Sequence, residues 1–390
     1  MKKITSSIIA VFFAFSVFAA DLADKNATAN AKHLFKYLND IYGSKVLTGQ
    51  MENSWNTNCK MLNRVNREVS KYPALMGFDF MNYTSLGYNA TNLETSRAIN
   101  FWKGMNLDYK QITDKHGIVA FTWHWRDPMA ASGKTGSFSA EEIEFRIPYD
   151  TTSKQWKKNS KEYKEMMADL DTIAIELKKL QDEGVPVLWR PLHEAAGNLE
   201  GGWAGASAWF WWGAGSSTSK KADGKYTVSS DVNECGQSFI ALWRLMFDYF
   251  TKEKGIHNLI WVWNGQNAKF YPGSEYVDII GNDIYASPKD YSSQKASYTK
   301  FVNMDKSKLT ALTECGVIPD MDKIAKDGAW WLYFMVWNDG AQDTNGKVKR
   351  DTDKNNFWSG EYYNTQAHKQ AVYNSEIAIT LDELPDLTKY

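Results

Sequence analysis

The sequence alternates between short apolar runs and longer segments with helical periodicity, and this alternation restricts the fold more than any other feature. Lys161–Glu183 has apolar residues at steps of three and four, which predicts an amphipathic helix. The apolar run that follows it is rich in branched residues, which is typical of a buried parallel strand. Eight such runs predict eight strands: Val46–Gln50, Pro73–Phe80, Gly117–His124, Val185–Glu194, Leu259–Asn264, Val277–Tyr285, Leu309–Glu314 and Ala329–Trp337.

Segments with helical periodicity separate most of these strands. They include Asn30–Tyr42, Met61–Val69, Thr95–Trp102 and Ser238–Tyr249. Eight alternating units predict a single-domain α/β fold, a (β/α)8 TIM barrel with enlarged loops at the C-terminal face of the strands. A doubly wound open sheet is the alternative, but no glycine-rich phosphate loop follows any predicted strand. Gly133–Asn159 has no clear period and is predicted to be a long surface loop.

A secretory signal peptide is predicted for residues 1–20. Two lysines precede an apolar stretch over Ile8–Phe18, and two small residues, Ala19 and Ala20, follow it. The stretch is shorter than a membrane span requires. We therefore expect a protein that is secreted, extracellular or periplasmic, with one domain over residues 21–390 and no membrane association.

The charge balance argues against a partner such as nucleic acid. Lys and Arg number 45 against 46 Asp and Glu, so the formal net charge is −1, and it becomes −3 once the two lysines of the signal peptide are removed. The chain carries 17 Trp, 20 Tyr and 19 Phe despite a mean hydropathy of −0.49. So many rings indicate either a large core or a groove that stacks on sugars. Trp211, Trp243 and Trp261 are expected in the core.

Three cysteines, Cys59, Cys235 and Cys315, do not make a disulfide framework. One bridge is permitted in an exported protein, and Cys59 with Cys235 is the first pair to test. Neither His124 nor His193 lies in a motif with zinc-ligand spacing. We therefore expect no metal and no cofactor, and a metalloenzyme is the weakest alternative.

Charged and aromatic side chains lie at the C-terminal ends of the predicted strands, where parallel α/β folds bind ligands. Glu194 and Glu314 each end an otherwise apolar strand, a costly position for a charge without a function or a partner. Cleavage of a glycosidic bond needs two such carboxyl groups, one protonated to assist the leaving oxygen and one ionised. A buried ion pair of Glu194 with Arg190 or another cation is the structural alternative.

Four segments carry the most distinctive residues of the chain: Trp189–Glu194, Trp209–Gly213, Val277–Tyr285 and Leu312–Gly316. Four others accompany them: Leu47–Gln50, Tyr72–Asp79, Thr122–Trp125 and Phe334–Asn338. In this order the set resembles glycoside hydrolase family 26, the β-mannanases, over nearly all of the chain after the signal peptide. The resemblance implies a (β/α)8 enzyme that hydrolyses internal β-1,4-mannosidic bonds with retention, through a covalent glycosyl-enzyme.

The same resemblance assigns roles to individual residues. Glu194 corresponds to the acid/base and Glu314 to the nucleophile. His193 and Tyr285 correspond to residues that hydrogen-bond around the nucleophile and the sugar in the −1 subsite. The other substrate-binding residues expected at the mouth are His124, Trp209 on the leaving-group side, and Trp337 on the floor of the −1 subsite.

Other functions stay open on the sequence. The substrate is expected to be a polysaccharide of the β-mannan class: mannan, glucomannan or galactomannan. Within the same family, the alternatives are an exo-acting mannanase that releases mannobiose, and a xylanase or mixed-linkage β-glucanase. A non-catalytic carbohydrate-binding protein is the alternative from another class. A monomer is expected.

Overall fold

The computed structural model describes residues 21–53, 60–82, 93–106, 108, 110–131, 136–199, 207–340 and 356–390. Its main sheet is a barrel of parallel strands, closed by the pairing of the first strand with the last, so the predicted TIM barrel is confirmed. The barrel strands are β1 (Val46–Met51), β2 (Leu75–Asp79), β3 (Ile118–Trp123), β4 (Val187–Pro191), β5 (Leu259–Trp263), β6 (Ile279–Ile284), β7 (Leu309–Cys315) and β8 (Tyr333–Val336).

Helices surround the barrel. Side chains at the N-caps of three of them, Thr28, Ser160 and Asp231, accept hydrogen bonds from backbone N–H groups of the first turn, which fixes where these helices begin. In the described part of the chain, β5 and β6 are joined by short 3₁₀ turns in place of a helix. The helices are α1 (Ala29–Ile41), α2 (Met61–Val69), α3 (Leu93–Trp102), α4 (Lys161–Asp182), α5 (Val232–Asp248), α6 (Lys295–Val302), α7 (Met321–Asp327) and α8 (Gln366–Tyr373).

The barrel strands are buried on both faces, which explains their continuous apolar sequences. Every residue of β1 to β5 and of β7 is buried. The apolar stripe of α4 packs in the same core. Trp211, Trp243 and Trp261 are also fully buried, as the sequence predicted.

The strands and the loop after β3 differ in detail from the prediction. Strand β4 ends at Pro191 and β8 begins only at Tyr333, so both are shorter than predicted. The described part of the predicted surface loop over residues 133–159, namely 136–159, is a loop, but it is more ordered and more buried than the sequence predicted. It contains an antiparallel hairpin of Tyr149–Asp150 with Gln155–Trp156, and its apolar residues Ala140, Ile143, Phe145 and Ile147 are buried.

Hydrogen bonds from Arg146 fix the conformation of this loop. Its guanidinium is buried and donates to three backbone carbonyls of residues 140–145, at 2.7–3.1 Å. It also donates to the Thr227 carbonyl at 2.8 Å and the Thr218 hydroxyl at 3.2 Å. One side chain therefore joins the loop after β3 to the segment that precedes α5.

The segment 21–28 lies beside the N-terminal ends of β5 and β6. The backbone N–H of Ala23 donates to Asp278 at 2.6 Å, and Asp24 pairs with His257 at 2.8 Å. Asp278 is fully buried, and its second oxygen accepts from the Trp261 N–H at 2.7 Å. The segment is thus an integral part of the fold.

Several sequence predictions concern features away from the site. Cys235 and Cys315 are buried free thiols, so the pairing of Cys235 with Cys59 is not seen; Cys59 lies outside the described residues. The predicted signal peptide, residues 1–20, lies outside them too. A search of the described helices finds none with the length and apolar character that a membrane span needs.

Candidate active site

The C-terminal ends of the barrel strands bring the two predicted catalytic glutamates together. Glu314 is the penultimate residue of β7, and Glu194 follows β4. One carboxylate oxygen from each of Glu194, Glu314 and a third acid, Asp283 of β6, lie within 4.8 Å of one another. Tyr285, which follows β6, donates its hydroxyl to Glu314 Oε2 at 2.7 Å. These residues form the centre of the candidate site.

Arg190 of β4 supplies the positive charge of this cluster. Its guanidinium donates to Glu314 Oε1 and, at 3.0 Å, to Asp283 Oδ2. Burial alone would lower the pKa of Arg190, but Asp283 and Glu314 raise it above its ordinary value, so the guanidinium stays charged. The ion pair of Arg190 with Glu194 that the sequence left open is therefore wrong: the partners of Arg190 are the other two acids.

The surroundings favour different protonation states for the acids. Burial, followed by the charges of Asp283 and Glu314, raises the pKa of Glu194 well above its ordinary value. Burial and the charge of Glu314 also raise the pKa of Asp283, to about 7. A protonated Glu194 therefore lies beside Glu314, whose two oxygens accept from Arg190 and Tyr285.

A left-handed turn carries Glu194 out of the barrel. Leu192 and Glu194 have φ of +54° and +49°, which residues with a Cβ adopt rarely and at a cost. The Glu194 N–H donates to the backbone oxygen of Asn264 at 2.7 Å and to its side-chain oxygen at 3.1 Å. On the other side, the indole N–H of Trp212 donates to the His193 carbonyl at 2.8 Å. These contacts hold the turn, which the sequence had assigned to the strand.

The two predicted histidines lie side by side, both buried. His193 Nε2 is 3.2 Å from His124 Nε2, and His193 Nδ1 is 3.1 Å from the Thr122 hydroxyl. His124 Nδ1 in turn is 2.6 Å from Asp79 Oδ2. The ring nitrogens of His193 are therefore directed at these neighbours, whereas the resemblance implied hydrogen bonds around the nucleophile and the sugar.

Two of the predicted aromatic residues are partly exposed. Trp337 follows β8 and its ring lies edge-on to His124, with centroids 5.9 Å apart. Trp209 lies edge-on to Phe210 at 6.1 Å. Trp211 and Trp212 are fully buried, so within Trp209–Gly213 it is Trp209 that offers tryptophan surface to a ligand.

The sequence did not assign roles to several polar residues of the site. All of them are polar residues within or at the end of an apolar strand, the same signal that drew attention to the glutamates. They are Asp79, Thr122, Arg190, Asn264 and Asp283. Arg190 was considered only as a partner of Glu194, because the strand it faces cannot be read from the sequence.

The three acids are close enough together for a cation to be considered. Carboxylate oxygens suit hard cations such as Mg²⁺ or Ca²⁺. However, Arg190 already donates to two of the three acids, and the raised pKa of Glu194 leaves it protonated. The donor set therefore fits a metal poorly.

Comparison with known proteins agrees with this geometry. The model of the family described as "Glycosyl hydrolase family 26" matches residues 23–380. The chain belongs to glycosyl hydrolase family 26. Among its curated relatives, a mannan endo-1,4-beta-mannosidase of Thermothelomyces thermophilus is 31% identical over 373 residues, 93% of this chain and 63% of the relative. Mannan endo-1,4-beta-mannosidase A of Piromyces sp is 30% identical over 371 residues, 93% of this chain and 50% of the relative.

Solved structures of the same family have the same architecture as this family 26 chain. The Podospora anserina GH26-CBM35 beta-(1,4)-mannanase superposes with a TM-score of 0.72 at 28% identity, covering 95% of this chain and 70% of that one. A beta-mannanase from a symbiotic protist of the termite Reticulitermes speratus, complexed with gluco-manno-oligosaccharide, gives 0.71 at 28% identity, covering 94% and 97%. The chain spans only 50–63% of the two curated relatives described above.

Proposed function

We propose that this protein is a secreted, retaining endo-β-1,4-mannanase, with Glu314 as nucleophile and Glu194 as acid/base. The observation that carries the proposal is the carboxyl cluster at the ends of β4 and β7. It combines an acid whose pKa is raised with a second one whose oxygens accept from Tyr285 and Arg190. The names of the curated relatives supply the substrate class.

In the first step, Glu314 attacks the anomeric carbon and forms a glycosyl ester, while the glycosidic bond breaks. Tyr285 and Arg190 hold the attacking carboxylate in position through its two oxygens. Glu194 gives its proton to the leaving oxygen, which leaves as an alcohol. The raised pKa of Glu194 is what keeps this proton available near neutral pH.

In the second step, the ionised Glu194 accepts a proton from water, whose oxygen attacks the anomeric carbon and releases Glu314. Two inversions give net retention. Retaining enzymes place their two carboxyl groups about 5–5.5 Å apart, and inverting enzymes about 6.5–9.5 Å apart. One oxygen of Glu194 and one of Glu314 lie within 4.8 Å of each other, which is closer to the range of retaining than of inverting enzymes and supports retention.

The proposal also covers how the polysaccharide binds and where the protein acts. The partly exposed rings of Trp209 and Trp337 would stack on the apolar faces of sugar units, with His124 beside Trp337. The substrate is a β-mannan such as mannan, glucomannan or galactomannan. Residues 1–20 have the pattern of a signal peptide, so we propose that the protein is exported.

The test is product analysis on linear mannan, galactomannan, xylan and mixed-linkage β-glucan. Wild type is expected to release mixed mannooligosaccharides, and NMR of the first products is expected to show the β-anomer. Glu314→Ala should abolish the reaction, because no group remains to form the ester. The matched control is Glu376→Ala, an exposed glutamate just before the short strand Ala378–Ile379, which should keep full activity.

Other outcomes would change the assignment in defined ways. Mannobiose alone would indicate an exo-acting enzyme. Cleavage of only xylan or β-glucan would retain the catalytic pair and overturn the substrate. An α-anomer as the first product would overturn retention. No hydrolysis by folded wild type would favour a carbohydrate-binding protein.

A further inference from the structure

A line of buried polar groups runs from β2 to the residue before the acid/base. Asp79, at the end of β2, contacts the ring of His124 at 2.6 Å and also accepts from the His124 backbone N–H at 3.1 Å. His124 contacts His193 at 3.2 Å, and His193 contacts Thr122 at 3.1 Å. All four residues are at most 7% exposed. None of them contacts the nucleophile in the described structure.

The charge of Asp79 and the pKa of His193 limit which nitrogen atoms of the two histidines can carry a proton. Asp79 is held as an anion: burial would raise its pKa, but the charge of His124 and the hydrogen bonds from it lower the pKa below the ordinary value. His124 Nδ1 must therefore carry a proton and donate it to Asp79. Between the two Nε2 atoms there is room for only one proton. Burial lowers the pKa of His193 well below its ordinary value, so His193 is neutral.

The far end of the line can adapt to either arrangement of that proton. The Thr122 hydroxyl lies 3.1 Å from His193 Nδ1 and 3.2 Å from the Arg190 carbonyl. It can donate to a bare Nδ1, or accept from a protonated one and donate to the carbonyl instead. Asp79 fixes a proton on His124 Nδ1, and it therefore fixes the orientation of the His124 ring against which His193 lies.

His193 is also the middle residue of the left-handed turn that presents the acid/base. Both its neighbours, Leu192 and Glu194, have positive φ, and such a conformation persists only when its surroundings hold it. Asn264 holds the Glu194 side of the turn, and Trp212 holds the His193 carbonyl. Among the described residues, the two ring nitrogens of His193 contact Thr122 and His124, which Asp79 orients. The rings of Phe210 and Trp212 lie 5.2 Å and 5.8 Å from the His193 ring, and they supply apolar packing.

We propose that Asp79 is a positioning residue for acid catalysis: through His124 and His193 it holds the turn that directs Glu194 at the leaving oxygen. This inference rests on the proposed function. Asp79 touches no reacting atom in this account. Its loss should impair the step that needs a proton on the leaving group and spare the step that does not.

Asp79→Asn tests the proposal with two substrates that differ in leaving group. Asparagine keeps the size of the side chain, but one oxygen acceptor becomes an NH2 donor. The hydrogen bond from His124 Nδ1 is then either lost or reversed in direction. On mannopentaose, whose leaving group needs protonation, we expect kcat/KM to fall at least about tenfold, since general acid catalysis is worth about 10²–10⁴-fold. On 2,4-dinitrophenyl β-mannobioside, whose leaving group needs no proton, we expect less than about a threefold change.

Two further variants keep the test decisive. Asp278→Asn is the matched control: it changes another buried aspartate, at the opposite end of the barrel, and should leave the ratio of the two kcat/KM values at the wild-type level. If circular dichroism shows that Asp79→Asn does not fold, Thr122→Val, which removes the partner of His193 Nδ1, is expected to change the ratio in the same direction.

The outcomes separate this inference from the function on which it rests. Equal losses on both substrates, or no loss on either, would overturn the role of Asp79. Failure of folded wild type to hydrolyse either substrate would overturn the proposed function instead. A selective loss on mannopentaose would establish the positioning role.

Discussion

At the scale of single residues, the protonation of Glu194 depends on its neighbours. Burial is the largest cause of its raised pKa, and the charge of Asp283 is the next. A carboxyl group with a raised pKa keeps its proton at higher pH, so acid catalysis is retained until pH rises through that pKa. The alkaline limb of activity is therefore set by the cluster as a unit.

Asp283→Asn should move this limb. Removal of one negative charge makes ionisation of Glu194 easier, so kcat/KM should begin to fall at a lower pH than in wild type. The measurement is kcat/KM on mannopentaose from pH 4 to 10. An alkaline limb at an unchanged pH would contradict the proposed coupling. Asp278→Asn, which changes a buried aspartate at the other end of the barrel, serves as the control.

The proximity of Glu194 and Glu314, the proposed catalytic pair, could be predicted because each glutamate stands out against an apolar strand. Arg190 and Asp283 stand out in the same way. Their roles depend on which strands face each other across the closed barrel, and the sequence does not show this. The position of His193 was also beyond the sequence. The direction of its ring depends on the positive φ at Leu192 and Glu194. Leucine and glutamate rarely adopt positive φ, so these residue types do not predict a left-handed turn.

At the scale of elements, the loop after β3 is held by the buried charge of Arg146, to which no described residue offers a carboxylate at hydrogen-bond distance. Arg146 donates to four backbone carbonyls and one hydroxyl. Burial lowers its pKa to about 10, so it is still charged at neutral pH. Sequence periodicity predicted a loop here but could not show its order, which comes from bonds between side chains and backbone and from scattered apolar residues. Phe145, for example, packs on Trp211 with ring centroids 4.8 Å apart.

Arg146→Met should loosen this part of the molecule. Several buried acceptors would lose their donor, and each unsatisfied group costs about 1–3 kcal/mol, so we expect a loss of at least about 3 kcal/mol in the free energy of unfolding. Urea unfolding measures the loss, and limited proteolysis should show new cleavage between residues 140 and 230. Lys225→Met, which removes an exposed ion pair with Glu141, is the control and should change little. Equal stability of the two variants would refute the role of Arg146.

At the scale of the whole molecule, the number and order of the eight barrel strands could be predicted because each is an apolar run of the right length. The three two-residue strands of the described structure were not predicted. The short helices α6, α7 and α8 were not predicted, since 7 or 8 residues are too few for a clear period. The docking of residues 21–28 at the base of the barrel was not predicted either. It depends on Asp278 and His257, which are distant in sequence.

A chain that begins at Thr28 should be less stable, and the loss should grow with pH. Burial raises the pKa of Asp278 to about 6, so the folded state binds an extra proton between the unfolded value and about 6, and stability falls as pH rises through this range. The Ala23 N–H stabilises the anion, so its removal should cost most above pH 6. We expect a larger difference in Tm from a chain that begins at Asp21 at pH 8 than at pH 5. With Asp278→Asn in both chains, the difference should no longer grow between pH 5 and pH 8.

Because the barrel closes between its first and last strands, the sheet cannot close until synthesis of the chain is nearly complete. Strand β1 completes its pairing only with β8, and Gln50 of β1 donates to Val336 of β8 across 286 residues. A growing chain therefore carries an open sheet edge through most of its synthesis, and such edges invite pairing with other chains. A polypeptide that stops before Tyr333 would keep two open edges, at β1 and β7. Early termination is therefore expected to give aggregates rather than a smaller working enzyme.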